Sequence, residues 1–133
     1  MVTFLFVGEK PSDRARRLQA SWRNGKLSAR TLHRALRAAG YDPHAHHFTN
    51  IFLCGRGDMV VSRWCLWRLR KAQEKGWVLV GLGQKVHRVL RRYKIWPFLD
   101  MIHPAARGRI RLAENYDSHV RRKLEEADPK TPW

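Results

Sequence analysis

The sequence predicts an α/β fold: three layers, α/β/α, around a central, mostly parallel sheet of four strands. Three observations carry this. Short, nearly continuous apolar runs recur at 3–7, 47–53, 77–83 and 98–102, as expected of strands covered on both faces. The segments between them place apolar residues at helical spacing. The runs give way to Gly8, Gly55, Gly81 to Gly83 and His103-Pro104, which punctuate strand ends.

Each element follows from its residues. Thr3-Phe4-Leu5-Phe6-Val7 is β-branched and aromatic, short enough for one strand. Ser12 or Asp13 can cap a helix reaching about Trp22, and Asn24-Gly25 marks a turn. Ser28 is placed to cap a second helix, with Leu32, Leu36 and Ala39 on one face and Gly40 as its stop. The second strand is 47–53, followed by a Gly55-Arg56-Gly57-Asp58 loop. Residues 62–75 read as a helix whose Trp64, Leu66, Trp67 and Leu69 are apolar among Arg and Lys, the aromatics being assigned to the core in preference to a stacking platform for single strands. Trp77 to Gly83 is the clearest strand, and Val86, Val89, Leu90 and Tyr93 stripe the next helix. Phe98 to Ile102 is the last strand and 115–127 a terminal helix. Residues 1–133 read as one domain with a loose tail at 128–133, as expected at this length.

Composition narrows the function classes. Lys and Arg number 27 against 11 Asp and Glu, a formal net charge of +16. The excess is spread along the chain: residues 1–66 carry 11 bases and 4 acids, residues 67–133 carry 16 and 7. Such self-repulsion destabilises a compact chain, so a polyanionic partner is expected, and nucleic acid is the commonest. Six Trp, five Phe and three Tyr exclude a disordered chain. No apolar run is long enough for a membrane helix, and the N-terminus lacks the features of a signal peptide. Two Cys cannot build a disulfide scaffold and read as reduced thiols, so the expected setting is the cytoplasm or nucleoid.

In parallel sheets ligands bind beyond the carboxyl ends of the strands. That rule selects Gly8-Glu9-Lys10-Pro11, Asn50 to Cys54, Gly81-Leu82-Gly83 and His103-Pro104. These positions resemble the ordered motifs of the uracil-DNA glycosylase superfamily, most nearly its iron-sulfur type. Phe6-Val7-Gly8-Glu9-Lys10-Pro11-Ser12 is similar to the family's Gly-Glu-Ala-Pro-Gly motif. Thr49-Asn50-Ile51-Phe52-Leu53-Cys54 is similar to its Thr-Asn-Val-Val-Lys-Cys stretch. Val78 to Gln84 is similar to its apolar strand ending in Leu-Gly, and Ile102-His103-Pro104-Ala105-Ala106 to its closing His-Pro motif. The resemblance spans about residues 3–111.

It implies a DNA-binding protein that hydrolyses an N-glycosidic bond to uracil or a modified pyrimidine. Glu9 and His103 would be catalytic, the carboxylate positioning water and the imidazole stabilising the leaving base. Asn50 would read the base edge, and Trp22 would stack on a flipped base. Lys10, Ser12, Lys85, Arg88, Arg107, Arg109 and Arg111 would grip phosphates. Each residue also has a structural reading: Glu9 as a helix cap, Asn50 as a turn former, His103 as a loop residue.

The departures from the family are informative. The cysteine pair expected before the first strand is missing, and Cys54 and Cys65 alone cannot hold a cubane; no cofactor and no iron-sulfur cluster is expected. Arg23-Asn24-Gly25-Lys26-Leu27-Ser28 replaces an aromatic family segment. Ile110 falls where the family inserts an apolar wedge into DNA, but its arginine neighbours point instead to phosphate or minor-groove contact. His44 and His46 would share a strand face with Asp42 nearby, but nothing else completes a ligand set, so a solvated His-rich loop and no metal are expected. Three functions follow: a glycosylase acting on single- or double-stranded DNA; a catalytically inactive superfamily member that binds DNA or a flipped base, as a phage or bacterial factor; or an accessory factor working through a protein partner.

Overall fold

A computed structural model describes residues 2–10, 13–53 and 60–127. Four parallel strands form the sheet in the order β2-β1-β3-β4: β1 (Phe4–Gly8), β2 (His47–Asn50), β3 (Val78–Leu82) and β4 (Leu99–Met101). Among the described residues five α-helices accompany them: α1 (Asp13–Arg17), α2 (Ser28–Ala38), α3 (Arg63–Glu74), α4 (Gln84–Arg92) and α5 (Ala113–Glu125). The fold is therefore α/β with three layers, and its sheet is wholly parallel.

The alternation of side chains along a strand builds both cores. Leu5, Val7 and Leu79 face α3 and α4, meeting Leu66, Leu69, Val86 and Leu90. Phe4, Phe6, Val80 and Leu82 face the other way, meeting Leu32 and Leu36 of α2 and Tyr116, Val120 and Leu124 of α5. All five residues of β1 are buried, which explains its unbroken apolar run. The chain leaves β1 for β2 on one side, then returns across β1 to β3. That reversal opens a crevice beyond the carboxyl end of β1.

Several boundaries differ from the sequence expectation. The first helix ends at Arg17 rather than near Trp22, because Gln19 takes a left-handed conformation, φ 53°. Asn24 then organises a compact turn. Its Oδ1 accepts from Ser21 and Lys26 backbone N–H groups at 3.0 and 3.2 Å, and its Nδ2 donates to the Gln19 carbonyl at 2.6 Å. Trp22 rides on this turn. Leu27, not Ser28, is the N-cap of α2. Strand β2 stops at Asn50, and Phe52 instead forms an isolated antiparallel bridge with Val61. Ser62 caps α3 by accepting from Cys65 N–H at 3.1 Å. The terminal helix starts two residues earlier than 115.

The largest departure concerns α3. Trp64 and Trp67, expected in the core, are 64% and 57% exposed. Cys65, Leu66, Leu69 and Ala72 face inward instead, so the tryptophans ride the outer side. Ile110 is partly buried and packs against the core formed with α2 and α5. His46 is also structural: its Nδ1 accepts the Phe4 backbone N–H at 3.1 Å. Among the described residues no helix is long and apolar enough to cross a membrane.

Candidate active site

A cleft of about 820 Å³ lies at the carboxyl edge of the sheet, and Glu9, Lys10, Trp22, Asn50 and His103 all line it. They arrive by four different elements. Glu9 and Lys10 follow β1, Asn50 ends β2, His103 follows β4, and Trp22 comes from the Asn24 turn. Distant stretches of sequence thus meet at one place, and the volume lies within the range of small-molecule sites.

Gly8 permits the convergence. A Cβ there would meet Trp22 Cζ2 at 2.6 Å and Asn50 Oδ1 at 2.9 Å, so only glycine lets the indole close over the end of β1. Trp22 Nε1 donates to Asn50 Oδ1 at 2.8 Å. This bond orients the amide and leaves its NH₂ as a donor for another acceptor. The Trp22 ring lies nearly parallel to Phe48 at 6.3 Å and edge-on to His103 at 6.2 Å. Beneath the turn, buried His33 donates from Nε2 to the Trp22 carbonyl at 2.6 Å.

His103 is held in one tautomer. Its Nδ1 accepts the Ala105 backbone N–H at 3.0 Å, so the neutral ring carries its proton on Nε2. Burial pushes its pKa below the ordinary histidine value, while the Glu9 carboxylate pulls it back up. The ring is therefore a neutral N–H donor near pH 7. Gly83, at φ 92°, turns the chain beside it, and a Cβ there would meet His103 Cβ at 3.3 Å. On the far side α5 grips the residue before His103. Tyr116 Oη donates to the Ile102 carbonyl at 2.9 Å, and Ile102 N–H donates to His119 Nε2 at 2.9 Å.

Glu9 is half-buried and pairs with Lys85 Nζ of α4 at 3.8 Å. Lys85 does not line the cleft but reaches the carboxylate that does. Arg88, Arg107 and Arg109 are exposed and do not line the cleft. Ser12 and Cys54 lie outside the described residues, and the side chain of Arg111 is likewise not described. Cys65 is buried, its Sγ 3.7 Å from Thr49 Oγ1, and burial raises its thiol pKa. Among the described residues no group of three His, Cys, Asp or Glu is placed to hold a metal.

Sequence reasoning missed four contributors. Phe48 supplies an aromatic floor, stacked on Phe6 at 5.2 Å; its position in an apolar strand gave no sign of a cleft. Arg68 reaches the cleft from α3 and donates to Thr49 Oγ1 at 3.3 Å. Arg23 and Lys26 line the cleft from the turn; the turn was legible, its proximity to Asn50 was not. With Lys10 and Arg68 they make the cleft cationic around Glu9, the one carboxylate that lines it among the described residues. No protein-family model matches the sequence, and no curated protein is similar to it.

Proposed function

We propose that the protein binds DNA and hydrolyses the N-glycosidic bond of uracil or a related pyrimidine. The observation that carries this reading is the meeting of Glu9, Asn50 and His103, from the ends of three different strands, in one cationic cleft. Such a reaction develops positive charge on the sugar and negative charge on the departing base. The Glu9 carboxylate suits the first, by orienting water toward the anomeric carbon and stabilising its cation. The neutral Nε2–H of His103 suits the second, donating to a base carbonyl that becomes anionic. Asn50, oriented by Trp22, offers its NH₂ to a carbonyl oxygen of the base. Phe48 and Trp22 provide aromatic surface for a base taken out of the stack. Lys10, Arg23, Lys26 and Arg68 line the approach for the phosphates.

One observation favours a second reading, in which the base is bound and not released. Lys85 sits 3.8 Å from the Glu9 carboxylate and competes with a sugar cation for it. Glu9→Gln separates the two. For a glycosylase the substitution lowers excision by about 10²–10⁴-fold while DNA affinity changes little. Binding without excision in the unsubstituted protein supports the second reading.

A further inference from the structure

Helix α3 carries a surface that the cleft does not use. Trp64 and Trp67 lie one helical turn apart, meet edge-to-face at 5.9 Å, and are mostly exposed. Each ring has a cation against it: the Arg68 guanidinium is 5.1 Å from the Trp64 centroid and Lys71 Nζ is 5.7 Å from that of Trp67. Arg68 does double duty, because it also bonds Thr49 Oγ1 and lines the cleft. The tryptophan pair is therefore one guanidinium away from the cleft. The helix holds Arg63, Arg68, Arg70 and Lys71 and a single acid, Glu74, which pairs with Lys71 at 3.3 Å.

We propose that Trp64 and Trp67 form a stacking platform for unpaired bases of single-stranded DNA, continuous through Arg68 with the cleft. The chemistry of the surface selects the ligand. Its charge calls for a polyanion, and its two large exposed rings call for flat apolar groups within that polyanion. A duplex offers phosphates but keeps its base faces stacked, so it would leave the indoles uncovered. A single strand offers both. Arg68 then contacts the backbone between the platform and the cleft. The inference shares with the proposed function only the identity of the ligand as DNA; it requires neither excision nor a particular base.

The test is a titration of the full chain with labelled oligo-dT, an abasic strand of equal length, a duplex, and anionic vesicles of phosphatidylcholine and phosphatidylserine. The wild-type protein is compared with Trp64→Ala/Trp67→Ala and Trp64→Phe/Trp67→Phe proteins whose folding is checked by circular dichroism. Loss of stacking weakens oligo-dT binding by about tenfold or more in the alanine protein, with most affinity kept in the phenylalanine protein. Binding to the abasic strand and the duplex stays within about twofold, as charge alone governs it. Unchanged oligo-dT binding in the alanine protein overturns the proposal, as does an equal loss on the abasic strand. So does a loss confined to anionic lipid vesicles, which would assign the pair to a membrane surface. The wild-type preference for oligo-dT over the abasic strand needs no variant, and its absence also overturns the platform. If the platform binds as expected while no base is excised, the proposed reaction fails and the platform stands.

Discussion

Gly8 is the residue on which the cleft geometry turns. Any side chain there meets the indole of Trp22 at less than 3 Å, so Gly8→Ala must push Trp22 off β1 and break its bond to Asn50. Overpacking of this kind costs about 1–3 kcal/mol. The expected outcome is a modest fall in melting temperature with a much larger loss of base binding, read by thermal unfolding and fluorescence titration. Trp22→Phe is gentler: the ring stays and the N–H goes. Asn50 is then free to rotate, so discrimination between bases falls more than overall DNA affinity, which competition binding with uracil- and thymine-containing strands would measure. Glu9, Asn50 and His103 were legible in the sequence because strand ends are recognisable and polar residues there stand out. The Trp22–Asn50 bond was not, since it depends on α1 stopping at Arg17 and on the side-chain bonds of Asn24, local effects that helical periodicity does not register.

Among the elements, α5 has a role that its amphipathic pattern conceals. It covers one core, and through Tyr116 and His119 it also fixes both backbone polar groups of Ile102, next to His103. Tyr116→Phe leaves the Ile102 carbonyl without that donor. We expect a loss of about 1 kcal/mol of stability and a drop in excision that exceeds the loss of DNA affinity, measured on the same preparation by denaturant unfolding and by rate. The strands were legible as elements because burial on both faces leaves nearly unbroken apolar runs. Helix α3 was legible as a helix, yet its sides were misassigned. Trp64 and Trp67 are apolar by composition, but Cys65, Leu66, Leu69 and Ala72 already fill the inward arc, and periodicity alone does not say which of two apolar stripes a sheet will cover.

For the whole molecule, charge and histidine chemistry set the conditions of action. With a formal charge of +16, the proposed DNA binding should weaken steeply with salt, by a log–log slope of about −0.7 per contacted phosphate on single strands. His46, His103 and His119 each accept a backbone N–H at a ring nitrogen, and burial lowers the pKa of all three. A protonated ring has no acceptor, so acid must break these bonds. The unfolded chain binds these protons more readily than the folded one, so stability rises with pH in this range. It is fully present above the ordinary histidine value of about 6.5 and is lost as pH falls toward the lowered folded values. Melting temperatures measured from about pH 5 to 7.5 should therefore climb and then level off. The total charge was legible from composition alone, whereas the joining of a cationic cleft to exposed indoles emerges only when α3 is set beside β2. The central claim is that the cleft breaks a glycosidic bond, and an excision assay tests it most directly. Labelled single strands and duplexes containing uracil, 5-hydroxymethyluracil, hypoxanthine or xanthine are incubated with the wild-type, Glu9→Gln and His103→Ala proteins, and alkali then reveals abasic sites. The account predicts cleavage at a pyrimidine by the wild-type protein and its loss in both variants. Tight, salt-sensitive binding with no abasic site on any strand would contradict it.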